Sequence, residues 1–543
     1  MRMIGKAVHY GIAVGPVVVI KPREAQVKRY KIYNTSSEMI RLEQSLYKVK
    51  NHLRRLYDKA VAEVGSEGAA IFNAHIMLLE DEGYLDSVHS IIQAEKVNAE
   101  YAVATTGTHF ADMFAEMDDE YMQERSRDVL DVTGRVIRAL QGQEELDFSE
   151  MEPSIILADD LTPGEVMQMD SKKMLALVTL RGSANSHTAI LAAMMNIPAI
   201  VGVEFNLDGL PSGSIGIVDG YEGSLVIDAT EEELAAAKEK IRVQEEEQMM
   251  LQRMKGKETV TKGGRVVKLL ANIGGVQDIS YALENDAEGI GLFRSEFLYL
   301  QKDCLPTEEE QLHVYKKVLQ KMGDKLVTIR TLDIGADKQV EYLELGKEDN
   351  PALGFRAIRI CLTRKDIFKT QLRALLRAGM YGNLAVLYPM ITSVKEVTQI
   401  KEIVEEVRGE LESEGVSYKL PIQGIMIETP AAVMISDQLA QLVDFFSIGT
   451  NDLTQYTLAL DRQNERLDAF YDAHHPAVLK MIEMVVKSGH NAGIPVGICG
   501  ELGSDMALTG RFIQMGVDEL SVSPGNVLRL RAKIRDINEE EEG

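Results

Sequence analysis

Six polar side chains stand at the ends of short apolar runs in the second half of this 543-residue sequence: Arg294, Arg330, Glu428, Asn451, Asp452 and Cys499. With Arg356 and Arg462 they make a set with a shared chemistry. Guanidinium forks suit the oxygens of carboxylates and phosphates. Glu428 and Asp452 are hard oxygen donors of the kind that hold Mg²⁺ together with water and substrate oxygens. Cys499 is a proton donor whose acidity its surroundings can tune. A small phosphate ester that also carries a carboxylate would satisfy the arginine count. Far upstream, His187 follows a turn of small residues, Arg181-Gly182-Ser183-Ala184-Asn185-Ser186, and opens the helical pattern Thr188-Ala189-Ile190-Leu191-Ala192. An imidazole there can attack phosphorus while free N–H groups at the helix start hold the phosphoryl oxygens. A nucleophile in one half and anion clamps in the other point to phosphoryl transfer between two domains. Taken singly each feature is weak, since a strand-end Arg is commonly a surface ion pair and a His in a turn is commonly structural. His9, His52, His89, His109, His313 and His490 take that plain reading, as do Cys304 and Cys361. Six polar groups at successive strand ends do not reduce to it.

The elements that must position them follow from periodicity. Eight apolar runs, at 267–273, 289–293, 326–330, 384–390, 422–427, 444–448, 495–499 and 518–522, alternate with helical stretches. That count and length predict a (β/α)₈ barrel, whose site lies where strands end. The connection 351–380 is long and carries Arg356 and Arg359. At the other end of the chain, residues 4–20 read as β structure, and 35–143 follow the 3.6-residue period of a helical bundle. Strand-like runs return at 154–158, 175–180, 198–203, 215–218 and 224–228. The fold class expected is a multidomain α/β protein. It has an α/β domain at 1–30 and 146–230, a helical insertion at 31–145, a charged linker helix within 231–262, and a barrel over 263–543.

Bulk properties narrow the function classes. Lys plus Arg total 59 against 84 Asp plus Glu, a net charge of −25, which argues against non-specific nucleic-acid binding. Local arginine clusters still leave room for an anionic substrate. The three cysteines have no metal-ligand spacing and fit a reducing, cytoplasmic setting. Residues Met1 to Ile20 lack the apolar core and cleavage site of a secretion signal. No run of 18 uncharged apolar residues occurs, so no spanning helix is expected.

These residues resemble Enzyme I of the bacterial sugar phosphotransferase system, the phosphoenolpyruvate–protein phosphotransferases, over nearly the whole chain and in order. The motifs are Ala70-Ile71-Phe72-Asn73-Ala74-His75-Ile76-Met77-Leu78-Leu79-Glu80-Asp81, Asp160-Leu161-Thr162-Pro163, Ser186-His187-Thr188-Ala189-Ile190 and Gly291-Leu292-Phe293-Arg294-Ser295-Glu296. They continue with Arg330-Thr331-Leu332-Asp333-Ile334-Gly335, Phe446 through Tyr456, and Cys499-Gly500-Glu501-Leu502. The resemblance implies a cycle. Phosphoenolpyruvate binds in the barrel with Mg²⁺, His187 swings over and takes the phosphoryl group, and Cys499 protonates the enolate. The phosphoryl group then passes to the His of the small carrier protein HPr, docked on the helical insertion. Carried over by motif, Arg294, Arg330, Arg356, Arg462 and Asn451 bind substrate, and Lys338 neutralises charge. Glu428 and Asp452 hold Mg²⁺. Glu67, His75, Met77 and Leu78 match the carrier-docking face, although Leu78 also reads as bundle core. The family is a homodimer through its barrel.

Around the nucleophile the sequence departs from the family pattern. Asn185 replaces a Thr two residues before the His, Ala193 stands where an Arg is common, and Val166 replaces another Thr. Losing an Arg fork and a hydroxyl weakens phosphohistidine stabilisation unless Arg181 or Asn185 compensates. An alternative reading is therefore a divergent paralogue that serves a special carrier or acts as a phosphoenolpyruvate-binding regulator. A pyruvate phosphate dikinase or phosphoenolpyruvate synthase would need an ATP-binding domain with a Gly-rich loop, which the sequence does not offer.

Overall fold

The computed structural model describes residues 2–21, 27–116, 120–143, 148, 151–182, 186–204, 213–300, 302, 304–335, 340–346, 348–462 and 464–538, with the side chains of 62, 64–67, 120–124, 187, 341, 465 and 468 outside the description. The chain divides into two compact units, Met1–Glu246 and Glu247–Gly543.

The first unit is built on an eight-stranded sheet. Its strands are β1 (Arg2–Ile4), β2 (Lys6–His9), β3 (Ile12–Ile20), β4 (Ser154–Ala158), β5 (Met174–Thr179), β6 (Ala199–Val201), β7 (Ile215–Asp219) and β8 (Ser224–Ile227), in the order β1-β8-β7-β3-β4-β5-β6-β2. Residues of β3 alternate in burial over most of its length, as a strand with one face on the core requires. It pairs antiparallel with β7 and parallel with β4, so it joins the two halves of the sheet.

Between β3 and β4 the described residues form four helices, α1 (Thr35–Leu78), α2 (Glu82–Glu95), α3 (Ala99–Ala115) and α4 (Glu120–Leu140). The helical segment therefore interrupts a sheet whose strands pair directly across it. Helix starts are locally encoded. Asn34 accepts from the Ser37 N–H at 3.1 Å and Asp81 from the Tyr84 N–H at 2.8 Å. After β4 comes the short α5 (Pro163–Gln168), closed by a capping box between Thr162 and Glu165. Helix α6 (His187–Met194) follows β5, with Ser186 as its cap at 3.3 Å to the Ala189 N–H. The apolar faces of α1–α4 pack with Ile156, Ala158, Leu161, Val166 and Leu191 in one core, so bundle and α/β part share their interior.

The charged helix α7 (Glu231–Gln252) leads to the second unit. There β9 (Lys268–Ile273), β10 (Ile290–Arg294), β11 (Leu326–Arg330), β12 (Asn383–Tyr388), β13 (Ile422–Ile427), β14 (Phe445–Ile448), β15 (Val496–Ile498) and β16 (Glu519–Val522) close into an all-parallel barrel. All eight expected strands are present in order. The run 384–390 stops as a strand at Tyr388, because Pro389 has no N–H for the ladder, and Met390 then turns back with φ of +59°. The outer helices Glu308–Met322 and Val394–Glu414 start with the capping boxes Thr307/Glu310 and Ser393/Glu396. Arg531, buried on the last helix, donates to Thr259 Oγ1 at 3.0 Å and pairs with Asp286, which ties the end of the barrel to its beginning. No helix among the described residues is long and apolar enough to cross a membrane.

Candidate active site at the barrel mouth

Parallel strands in register deliver their last residues to one rim, and that rim lines a cavity of about 740 Å³. Arg294 ends β10 and Arg330 ends β11. Glu428 follows β13, and Asn451 and Asp452 lie in the first turn of the helix after β14. Cys499 follows β15, while Arg356 and Arg462 come from longer connections. All eight line this cavity.

Its electrostatics is an alternation of charges, buried from Arg330 to Asp452 and exposed at Arg462. The Arg330 guanidinium pairs with Glu296 and, at 2.7 Å, with Asp333. Asp333 also holds Arg356 at 3.0 Å, and Arg356 lies 3.7 Å from Asp452. Asp452 in turn lies 3.4 Å from Arg462. Arg356 is steadied by Tyr456, whose hydroxyl accepts from it at 3.3 Å and donates to the Ala352 carbonyl. Arg294 is different. It is exposed at the rim and has no ion-pair partner among the described residues. Glu296 and Asp333 are not among the residues that the strand-end pattern singles out. The signal was there: each is a carboxylate two or three residues past a strand-end Arg.

Glu428 is buried and accepts from the Met390 N–H at 2.6 Å. Burial, reinforced by the neighbouring charges of Asp452 and Asp333, raises its carboxyl well above the ordinary range, with Arg330 opposing. Asp452 Oδ1 is buried and accepts no hydrogen bond. Two crowded carboxylates, one with a buried oxygen that takes no hydrogen bond and faces Arg462 at 3.4 Å, suit a divalent cation. Mg²⁺ is commonly held by one or two carboxylates plus water and substrate oxygens. Among the described residues no set of three His, Cys, Asp or Glu side chains is arranged around a common point. The donor set fits a cation whose shell the substrate completes.

Asn451 is oriented by Glu501. Its Nδ2 donates to Glu501 Oε1 at 3.0 Å, and its Oδ1 accepts from the Glu501 N–H at 2.9 Å. One amide hydrogen remains for a ligand. Cys499 packs against Leu292, Leu387 and Met426, and its thiol donates to the Ile448 carbonyl at 3.6 Å. Burial pushes the thiol up to about 11, with Ser447 opposing, so it is protonated at neutral pH.

Other expected residues lie in the first unit or outside the description. His187 is the first residue of α6; its side chain is not described, and neither are Asn185, Lys338 and the Glu67 side chain. Thr188 is buried and donates to the Leu161 carbonyl at 2.5 Å, joining α6 to the 160–163 turn. Val166 is fully buried on α5, and Ala193 is half-buried on α6. Of the docking set, Met77 is 64% exposed and Leu78 is half-buried against the bundle core. His75 corrects the surface expectation. It is 1% exposed and lies 3.6 Å from Asp128 and 4.0 Å from Asp131, because α1 turns that position inward onto α4.

Comparison with known proteins adds three matches to family models. The PEP-binding domain of PEP-utilising enzymes matches residues 248–539, their mobile domain 150–223, and their N-terminal domain 4–125. The chain is 42% identical over 536 residues to the phosphoenolpyruvate-protein phosphotransferase of Priestia megaterium, covering 98% of this chain and 94% of that one. It is 40% identical over 533 residues to that of Bacillus subtilis (strain 168), with coverages of 98% and 94%. The solution structure of an Enzyme I protein, nEIt, aligns with 45% of this chain and 99% of that one at 31% identity and a TM-score of 0.41.

Proposed function

The chain belongs to the phosphoenolpyruvate-protein phosphotransferase family of enzymes, and from that premise we propose that it moves the phosphoryl group of phosphoenolpyruvate to His187 and then to the His of an HPr-like carrier. This is the first step of sugar uptake by the phosphotransferase system. The observation that supports the barrel half of this reading is the single cavity uniting four guanidinium groups, two crowded carboxylates and a protonated thiol. Its substrate is small, carries both a phosphate and a carboxylate, and leaves as a carbanion equivalent that needs a proton.

In this reading Arg294, without an ion-pair partner among the described residues, meets the anion first. Arg330, Arg356 and Arg462 complete the clamp, the free N–H of Asn451 takes a phosphoryl oxygen, and Lys338 is a further charge-neutralising group. Glu428 and Asp452 would hold Mg²⁺, which when bound supplies positive charge against the phosphoryl and enolate oxygens. The bridging P–O bond breaks as a His187 nitrogen forms the N–P bond. The electron pair left on oxygen is delocalised as the enolate of pyruvate. The Cys499 thiol gives its proton to the methylene carbon, and water reprotonates the thiolate. A thiol held protonated by burial suits that donation.

The division of labour follows the segments proposed above: 1–30 and 146–230 carry His187, 31–145 receives the carrier, 231–262 links, and 263–543 binds substrate. Met77 offers the exposed apolar contact for the carrier, Leu78 lies next to it, Glu67 joins the docking set by motif, and His75 supports Met77 from inside. A homodimer through the barrel and a cytoplasmic location complete the proposal.

Label transfer from radiolabelled phosphoenolpyruvate tests it. The wild type should take up label at His187 and His187→Ala should not; equal labelling of both ends the proposal. Val166, buried where a hydroxyl is usual, favours a second reading, a divergent paralogue with a special carrier or a regulatory role. It expects Mg²⁺-dependent substrate binding with little transfer to an ordinary HPr, and transfer at the rates of the family would discard it.

A further inference from the structure

The helical segment and the α/β part of the first unit meet at one buried cation. Arg135, on α4, is 1% exposed. Its Nε lies 3.2 Å from Asp131 Oδ2, and its Nη2 donates to Thr162 Oγ1 at 3.1 Å. Room for that guanidinium exists because residue 164 is Gly: a Cβ there would fall 2.1 Å from Nη2. Thr162 is the cap of α5, and its hydroxyl has no spare capacity. It donates to Glu165 Oε2 at 3.0 Å and accepts from the Glu165 N–H at 3.3 Å as well as from Arg135. One residue earlier, the Leu161 carbonyl accepts from Thr188, the neighbour of His187, at 2.5 Å. Leu161 and Thr188 are 4% and 6% exposed, so water does not compete for this bond. The same turn, α4 and the start of α6 border a cavity of about 320 Å³.

A buried arginine is a poor stabiliser compared with a well-packed apolar side chain, because two charges must leave water. Its geometry therefore has a positional meaning. We propose that Arg135 is a positioning residue for the phosphoacceptor: through Thr162, Leu161 and Thr188 it sets the first turn of α6, on which His187 stands. The proposal rests on the reading of His187 as the acceptor. It makes helix α4 part of the scaffold of the reacting histidine, so that a carrier seated on the bundle and the nucleophile share one rigid connection.

The test uses the full-length protein labelled with ¹⁵N-histidine, the His187 ring signals being identified by their loss in His187→Ala. Arg135→Met, Gly164→Ala and Thr188→Val should each shift or broaden those signals. Each should also slow label uptake from phosphoenolpyruvate by about 10- to 100-fold, the scale of a small misplacement. KM for phosphoenolpyruvate should not change, because its proposed binding residues belong to the other unit. Arg135→Lys should recover part of the rate. The Arg135→Met/Gly164→Ala double variant should be no slower than the worse single one, since both cut the same link. Folded Arg135→Met with wild-type ring signals, or multiplying effects in the double variant, would overturn the proposal. If Arg135→Met does not fold, Gly164→Ala displaces the guanidinium with the charge retained and gives the same readout. A wild type that takes no label from phosphoenolpyruvate defeats the phosphotransfer reading, while the ring signals still report on the tie.

Discussion

Arg330→Met removes the guanidinium that Glu296 and Asp333 share at the barrel mouth. The Arg330 and Glu296 side chains are 11% and 5% exposed, so the surface ion-pair value of about 0–1 kcal/mol does not apply. Removing one member of a buried pair costs about 3–5 kcal/mol, because the other charge is stranded. Asp333 keeps Arg356 at 3.0 Å, so only Glu296 loses its counter-charge, and its Oε2 already accepts no hydrogen bond. The expected loss is therefore at the lower end, about 3 kcal/mol of barrel stability. Adding Glu296→Gln removes the stranded charge and should return about 1–3 kcal/mol. Guanidinium chloride unfolding of the four proteins of this cycle, followed by circular dichroism, measures both quantities. Titration calorimetry with phosphoenolpyruvate separates stability from recognition. Both Arg330 variants should lose at least about 2 kcal/mol of affinity, roughly 30-fold, whatever their stability. A single variant as stable as wild type, or a double variant no more stable than the single, would show that solvent screens the pair and would refute the reasoning.

Glu428 carries a pKa raised by burial and by Asp452 and Asp333, so the unfolded chain releases its proton at lower pH than the fold does. Stability is thus lost as pH rises above the ordinary carboxylate range. Glu428→Gln should raise the unfolding free energy at neutral pH by about 1–2 kcal/mol, and should abolish the stabilisation that the proposal expects from added Mg²⁺. Cys499→Ala should retain phosphoryl uptake at His187 but slow pyruvate methyl exchange in heavy water by about 10²–10⁴-fold. With the thiol pushed up to about 11, the wild-type exchange rate should stay flat across neutral and mildly alkaline pH; an alkaline limb near neutrality would exclude this donor. Glu100 titrates below the ordinary range. Burial alone would raise it, but hydrogen bonds from Arg41 and Asn98 outweigh that effect. Its contribution is present above the ordinary carboxylate value and lost as pH falls through the depressed one, so Glu100→Gln should flatten the limb of melting on the acid side of the ordinary carboxylate range.

What was legible in the sequence was local. Each barrel strand is a short apolar run closed by a turn, and these signals need no distant partner. The same holds for the arrival of Arg294, Arg330, Glu428 and Cys499 at strand ends, since parallel register delivers every strand end to one rim. Motif order along the chain also sufficed for the family. The states of those residues were decided by tertiary structure. Arg330 meets Glu296 across 34 residues and Arg356 meets Tyr456 across 100, separations that only the packing of the folded barrel bridges. Cys499 becomes a protonated thiol because Leu292, Leu387 and Met426 arrive from three other strands to exclude water. The resemblance put His75 on the carrier-docking face, and a motif match does not say which neighbour covers a residue; α4 covers it. Arg135 carried no signal in the sequence. Its meaning lies in the missing Cβ of Gly164 and the hydroxyl of Thr162, which contact order places beyond any local pattern.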